Sequence, residues 1–533
     1  MADRSLRMKT AFTVLGAARV AAFAAALTIL PLLLAACSGG GGGGGSSQST
    51  PPPTGQNYTD PVVYSGGANA SLQSAAEITA VTHAQLPLNG ATLNYTATAG
   101  HLTARTLGTG AERASFFYVA YTLDNAPAAT RPVTFFYNGG PGSASVWLHL
   151  GSFGPKRLVT GFPATTAATP FPLVDNAESL LDVSDLVFVD AIGSGYSQAI
   201  APNTNSTFWG VDVDAAAFRD FVMRYVIVNN RAASPKFLYG ESYGGPRTGI
   251  LAHLLETAGV HLHGVVLQSP AMNYSSNCGI VDGVAICSSY LPSYAASGAW
   301  YNRANPSPAP AAIPAYMVDM RTFSTTQYDP AVRSLLGNGV APAPALLTQL
   351  VNTTGLSLSN WQTNLNFPPG QFQSALMPGT QIGRYDSRVS APSGSALAQN
   401  GDPSSTFISP SFGSNIMGYL AALGYTTPSG YVMSSNAINS WNFTHDGRQV
   451  PDTIPDLAAA IAINPALKVL AVNGYHDLAT PFYITEQDLA RLGNNPNVRI
   501  RNYMGGHMTY LDDGSRVLQK ADLVQFYQNA LAP

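Results

Sequence analysis

One turn in the middle of the chain constrains the fold more than any other feature. Residues 236–239 form a strand-like run, residues 240–244 read GESYG, and Pro246 stands near the start of a helical pattern. A Gly-x-Ser-x-Gly turn between a strand and a helix is typical of a nucleophile elbow, whose crowded backbone requires small flanking residues. The sequence therefore predicts Ser242 as a catalytic nucleophile, held above a sheet at the positive end of a helix. The alternative is a Gly- and Ser-rich turn without a chemical role.

Strand and helix patterns alternate around this turn. Apolar residues recur at helical spacing over 212–228 and 250–258. Short apolar runs, typical of strands covered on both faces, occur at 116–119, 133–137, 186–189, 237–239, 265–267, 469–472 and 498–501. This alternation predicts an α/β architecture with a largely parallel sheet.

The pattern fails between about 272 and 455, where Pro, Ser, Thr and Asn are frequent. We interpret 272–455 as a mostly helical insertion that forms a lid, between a first core part at 58–271 and a second at 456–533. Cys278 and Cys287 lie inside it. In an oxidising compartment they are expected to form a disulfide, and the alternative is two buried thiols.

The N-terminus has the order of a signal peptide, with basic residues followed by an apolar run at 20–36 that is short for a membrane span. The run ends at Cys37, in a pattern that resembles the lipobox of bacterial lipoproteins. The resemblance implies cleavage after residue 36, lipidation of Cys37 and, because Ser38 follows, an outer-membrane anchor facing the periplasm. Residues 37–57 include seven consecutive glycines and three prolines, a composition that predicts a flexible tether.

Composition excludes some classes of function. The formal net charge of −3 provides no basic excess for phosphates, so nucleic-acid binding is disfavoured. Three cysteines make neither a disulfide scaffold nor a zinc module. We expect no metal and no cofactor.

A nucleophilic serine needs a base and an acid that orients it. In a fold with a nucleophile elbow the chain order is serine, acid, histidine. We assign His507, in a Gly turn after the run 498–501, as the base, and Asp477, after the run 469–472, as the acid. The alternatives are a loop histidine and a turn-capping aspartate. The other candidate histidines fit a base less well. His253, His261 and His263 follow Ser242 too closely, His445 lies in the insertion, and His476 stands after the run 469–472, where the acid is expected.

Acyl transfer also needs donors for an oxyanion. One expected donor is the N–H of Tyr243, which follows the nucleophile. The other is the N–H of Gly140, in the glycine-rich loop 138–142 that directly follows the run 133–137. A phosphate-binding loop is the rival interpretation, but no Gly-Lys-Ser/Thr pattern follows.

Four motifs in order resemble the serine carboxypeptidase family: YNGGPG at 137–142, DAIGSGYS at 190–197, GESYGG at 240–245 and GHM at 506–508. The similarity extends over roughly 110–530. It implies an α/β-hydrolase fold with a helical insertion before the acid. It also implies serine-type carboxypeptidase activity on a peptide with a free C-terminus, through an acyl-enzyme.

The resemblance also assigns substrate binding. It implies that Asn138 and Glu241, helped by the N–H of Gly139, bind the C-terminal carboxylate of the substrate. Glu241 must then be protonated or share a proton. A loop-bracing amide and a turn residue are the alternatives for Asn138 and Glu241.

Two positions depart from the family's pattern. Ser143 stands where the family commonly has a cysteine, and Ser152 where it commonly has a second glutamate. The second departure leaves open an esterase or acyltransferase with the same triad, since a fold does not determine activity. A third hypothesis is a non-enzymatic peptide-binding lipoprotein.

Overall fold

The structure is a computed structural model that describes residues 55–280 and 285–532. The predicted signal peptide 1–36, the lipidation site Cys37 and most of the tether lie outside the described residues. A central sheet of ten strands, counted in the part of the chain that is described, organises the fold. Its nine longer strands are β1 Thr79–Leu88, β2 Ala91–Arg105, β3 Glu112–Leu123, β4 Val133–Tyr137, β5 Asp185–Val189, β6 Lys236–Glu241, β7 Gly264–Gln268, β8 Lys468–Gly474 and β9 Val498–Tyr503.

The strand order is β9-β8-β7-β6-β4-β5-β3-β2-β1. The six strands from β9 to β5 run parallel, and β3, β2 and β1 add antiparallel pairs at one side. The short tenth strand, Gln198–Ala199, pairs with β3. The sheet is therefore mainly parallel, as predicted, with β6 and its following turn near its centre.

Successive residues of the central strands alternate between two hydrophobic clusters, one on each face of the sheet. In β4, Phe136 belongs to one cluster, whereas Phe135 and Tyr137 belong to the other. Helices α2 (Val211–Val228), α3 (Gly244–Thr257) and α11 (Ile454–Ile463) contribute to the second cluster, and α13 (Asp513–Leu531) contributes to the first. Burial on both faces explains why these strands appear as uninterrupted apolar runs in the sequence.

The segment between β7 and β8 is mostly helical. Its helices before α11 are α4 Leu291–Trp300, α5 Ile313–Phe323, α6 Asp329–Asn338, α7 Pro344–Thr354, α8 Leu358–Thr363, α9 Pro369–Ala375 and α10 Pro403–Ala422. Side chains of α4–α9 form a third hydrophobic cluster around the fully buried Trp361, together with Tyr475, Leu478, Phe482 and Ile484, which follow β8. Two further α-helices of the described residues are α1 Val146–Gly151 and α12 Phe482–Ala490. Within residues 55–280 and 285–532, no helix has the length and apolar character that a bilayer crossing requires.

Candidate active site

The turn after β6 has the geometry of a nucleophile elbow. Strand β6 ends at Glu241, helix α3 begins at Gly244, and Ser242 between them has a φ of +61°. This left-handed conformation is rare for residues other than glycine and marks local strain. A Cβ at Gly240 would collide with the carbonyl oxygen of Gly244. The small residues of the motif are therefore required by the turn itself.

Asp477 and His507 meet at the ends of β8 and β9. The Oδ2 atom of Asp477 lies 2.8 Å from Nδ1 of His507, and both side chains are buried. The other carboxylate oxygen, Oδ1, accepts the N–H groups of Ala479 at 2.7 Å and Thr480 at 3.0 Å. The carboxylate is thus fixed, and it orients the imidazole so that Nε2 is free to face a reactant.

Ser242 and His507 are both attached to the end of β7. The N–H of Ser242 donates to the carbonyl of Gln268 at 2.9 Å, and the Gln268 side-chain amide donates to the carbonyl of His507 at 3.1 Å. The hydroxyl of Ser269 donates to the same His507 carbonyl at 2.7 Å. One short segment therefore holds the candidate nucleophile and the candidate base.

The electrostatics of His507 favour its protonated form. Burial lowers the pKa of His507, but the charge and hydrogen bond of Asp477, with help from Glu241, outweigh burial and raise this pKa above its ordinary value. His507 can therefore accept a proton readily. Its ring also stacks on Tyr385 of the insertion, with centroids 4.8 Å apart.

The histidines that were set aside lie in other environments. His476 is buried, neither of its ring nitrogens has a hydrogen-bond partner among the described residues, and burial lowers its pKa well below the ordinary value. His445 lies between Asp212 and Asp456, at 2.6 and 2.9 Å. Neither is paired with Asp477, whose ring partner is His507.

Two backbone donors lie beside Ser242. Gly139 packs so closely on the elbow that a Cβ there would collide with the N atom of Tyr243. The N–H groups of Gly140 and Tyr243 donate to no other group among the described residues, and both residues line the cavity that contains Ser242. Free N–H groups at such a position can stabilise an oxyanion.

The loop 190–197 braces the glycine-rich loop. Asp190 is buried, and its Oδ1 atom accepts the N–H of Ser145 at 2.8 Å and the hydroxyl of Tyr431 at 2.9 Å. The Ser145 hydroxyl in turn accepts the N–H of Asn138 at 3.2 Å. Burial raises the pKa of Asp190 to about 6. This second motif thus supports the first.

Asn138 and Glu241 form a closed, buried pair. The Asn138 amide donates to Oε1 of Glu241 at 2.7 Å, and the Tyr510 hydroxyl donates to Oε2 at 2.6 Å. Burial raises the pKa of Glu241 to about 7. Ser152, at the position of the missing second glutamate, is buried and donates to the Leu148 carbonyl at 2.5 Å. Tyr510 was missed by sequence reasoning, although it lies only three residues after His507.

A cavity of about 460 Å³ opens in front of Ser242. Its wall combines core residues with residues of the insertion, and it comprises Gly140, Pro141, Ser242, Tyr243, Ala271, Tyr274, Gly279, Ile280, Arg384, Tyr385, Ser434, Ile438, Phe443, Val450, Ala479 and Thr480. Asn138, Gly139 and Glu241 are buried and are not among the residues that line the cavity. Nothing in the sequence pointed to Arg384 or Tyr385.

The predicted disulfide can also be located. The sulfur atoms of Cys278 and Cys287 are bonded to each other. Over the residues that the structure describes, no group of three or more His, Cys, Asp or Glu side chains is arranged to hold a metal ion.

Comparison with known proteins finds similarity over part of the chain. The model of the serine carboxypeptidase family matches residues 87–278. The pheromone-processing carboxypeptidase KEX1 of Cryptococcus gattii is 32% identical over 139 residues, which are 26% of this chain. The match spans only about a fifth (19%) of that relative's length.

A solved structure has a similar fold. It is Kex1, a prohormone-processing carboxypeptidase from Saccharomyces cerevisiae, which is 15% identical, with a TM-score of 0.50. The similarity covers 81% of this chain and 91% of that one.

The similarity in architecture shows an α/β-hydrolase fold. Within this fold, residues 87–278 are similar to the serine carboxypeptidase family.

Proposed function

We propose that the protein is a serine-type carboxypeptidase that removes the C-terminal residue of a peptide. The observation that supports this proposal most strongly is that the candidate nucleophile and the candidate oxyanion donors line one cavity, while the candidate base is paired with the candidate acid. Ser242 is strained at the elbow and lines the cavity, His507 is paired with Asp477, and the N–H groups of Gly140 and Tyr243 have no partner among the residues that the structure describes.

The chemistry follows from these positions. The Ser242 hydroxyl attacks the last peptide carbonyl, and its proton passes to Nε2 of His507. The N–H groups of Gly140 and Tyr243 stabilise the oxyanion of the tetrahedral intermediate. His507 then protonates the leaving amine, and a water molecule hydrolyses the acyl-enzyme by the same steps in reverse.

Recognition of the C-terminal carboxylate is assigned to Asn138, Gly139 and Glu241. The raised pKa of Glu241, about 7, supports this assignment because a protonated carboxyl group can donate a hydrogen bond to a carboxylate. The assignment requires the Asn138–Glu241 hydrogen bond of 2.7 Å to rearrange when substrate arrives.

The test compares a peptide that has a free C-terminus with its amidated twin, from pH 4 to pH 8, with products followed by mass. We expect the wild type to release single residues from the free peptide only. Ser242→Ala should lower turnover by roughly 10⁶-fold, because the nucleophile is lost, while circular dichroism stays unchanged. Unchanged turnover in Ser242→Ala would refute the assignment of the nucleophile.

An esterase or acyltransferase is the second candidate. The observation that favours it is Ser152, whose hydroxyl is bonded to the Leu148 carbonyl and offers no carboxyl group to share a proton with Glu241. Hydrolysis of small esters without cleavage of either peptide would favour this candidate over the carboxypeptidase.

We also propose that the mature chain is anchored by lipid at Cys37 and faces the periplasm. The proposal is supported by the sequence around Cys37 and by the glycine-rich stretch that follows it.

A further inference from the structure

Arg384 places an unpaired positive charge in the wall of the cavity. It lines the same cavity as Ser242, and among the described lining residues it is the only one with a formal charge. Its guanidinium forms no hydrogen bond and no ion pair with any described residue and lies over the Tyr385 ring, 5.6 Å from Cζ to the centroid, while the carboxylates of Asp402 and Asp477 act on it through their charge alone. The cavity is therefore electrostatically suited to an anion.

The backbone of Arg384 is held firmly although its side chain is free. Its N–H donates to Oδ1 of Asp402 at 3.0 Å, and its carbonyl accepts the N–H of Leu478 at 3.0 Å. The next residue, Tyr385, stacks on His507. Arg384 is thus fixed against the loop that carries Asp477 and beside the candidate base.

Other half-buried or buried arginines in this protein have carboxylate partners. Arg388, four residues further on, contacts Asp386 and Asp512 at 2.7 and 2.9 Å, and Arg247 contacts Asp214 at 2.6 Å. Sequestering a guanidinium without a partner is unfavourable. A planar guanidinium matches the two oxygens of a carboxylate, with which it forms paired hydrogen bonds.

The buried Asn138–Glu241 pair does not supply this charge. Both residues are buried and are not among those that line the cavity, and Glu241 is an acid, which carries no positive charge. We propose that Arg384 binds a carboxylate of the peptide substrate and so determines specificity. The proposal rests on the proposed function. This carboxylate is either the C-terminal one, which Arg384 then shares with Asn138 and Glu241, or that of a terminal Asp or Glu side chain, and the two have the same chemistry.

The experiment measures binding, so that it does not depend on turnover. Full-length mature Ser242→Ala protein is titrated calorimetrically with a neutral peptide that has a free C-terminus, its amidated twin, and amidated peptides ending in Glu or Gln. The titrations are repeated with Arg384→Gln and with Arg384→Lys in the same background. Arg303→Gln, at an exposed arginine of the insertion, is the matched control.

We expect Arg384→Gln to weaken binding of a carboxylate peptide by about 10- to 100-fold and to leave the amidated neutral peptide unchanged. Arg384→Lys should retain part of the affinity, since it keeps the charge but loses the paired geometry. Loss confined to the free C-terminus identifies the main-chain carboxylate, and loss confined to the Glu peptide identifies the side chain.

Equal binding of all peptides before and after Arg384→Gln would overturn the inference, as would the absence of any preference for a carboxylate in the Ser242→Ala background. Cleavage of the same peptides by the wild type is scored separately. Failure of peptide cleavage would therefore count against the proposed function, and an unchanged affinity would count against Arg384.

Discussion

Glu241 is the residue whose protonation is most informative. It precedes the nucleophile, is buried, and accepts hydrogen bonds from Asn138 and Tyr510. Burial raises its pKa to about 7, so it is largely protonated below that pH and ionised above it. If Glu241 meets the substrate's carboxylate, only the protonated form can do so without repulsion.

We therefore predict that kcat/KM for a peptide with a free C-terminus falls as pH rises through about 7. Glu241→Gln should remove this alkaline limb, because the amide stays neutral at every pH. A small neutral ester, whose hydrolysis needs His507 but no carboxylate site, serves as the reference substrate. An alkaline limb that persists in Glu241→Gln would show that another group titrates.

At this scale the sequence located several residues that the structure brings together. The elbow serine, Asp477 and His507 could be found because each follows a strand with a recognisable apolar run. Their catalytic roles stay predictions. Tyr510 and Arg384 could not be found, since a tyrosine in a loop and an arginine in an insertion have no local pattern. Only tertiary packing brings them to Glu241 and to the cavity.

At the scale of the elements, His445 links the end of the insertion to helices α2 and α11. His445 contacts Asp212 of α2 at 2.6 Å and Asp456 of α11 at 2.9 Å. The hydrogen bond to Asp456 is the largest cause that raises the pKa of His445, to about 9, against the effect of burial. The folded-state pKa is above the ordinary value of 6.5. The stabilisation is therefore complete below pH 6.5 and is lost as pH rises through about 9.

We predict that His445→Gln lowers the free energy of unfolding by about 1–3 kcal/mol at pH 6. The difference from the wild type should shrink toward zero at pH 9.5. Urea unfolding at the two pH values measures it. His261→Gln is the control, because the His261 side chain is 69% exposed and its contact with Glu256 is screened by solvent. An equal loss at both pH values would contradict the role of the charge.

The strands that the sequence predicted and those it missed differ in burial. Strands β4–β8 were found because nearly all of their residues are buried and each contains an apolar run. Strands β1 and β2 were missed. In β2, Thr, Ala and Asn alternate along an antiparallel ribbon whose first residues are exposed, so no apolar run appears. Pairing with β3 stabilises it, and a local pattern does not record that pairing.

At the scale of the whole molecule, the α/β-hydrolase fold could be predicted because strands, elbow and late histidine follow one another in the chain order that is typical of this topology. The mostly helical character of the insertion was also predicted, from the loss of the strand pattern. Its internal arrangement was not, because the helices α4–α9 pack mainly on one another around Trp361. Weak amphipathic segments with many prolines give no indication of that shared core.

The proposed anchor leads to a prediction at the same scale. A flexible chain of about 21 residues has a root-mean-square reach of roughly 25 Å, so a catalytic unit held at Cys37 would stay close to the membrane surface. We expect the wild type to incorporate labelled palmitate and to partition into detergent. Cys37→Ser should remain soluble and unlabelled and retain full kcat/KM. Membrane association of Cys37→Ser would contradict the proposed attachment.

The contact between Tyr385 and the histidine loop has a consequence for engineering. The Tyr385 carbonyl accepts the N–H of His507 at 2.6 Å, and it occupies the space that a Cβ at Gly506 would need. The insertion therefore cannot be exchanged on its own, because the loop that bears the candidate base, His507, packs against it. Chimaeras that exchange the insertion should work only when residues 505–510 are exchanged with it, so the two segments form one unit of recombination.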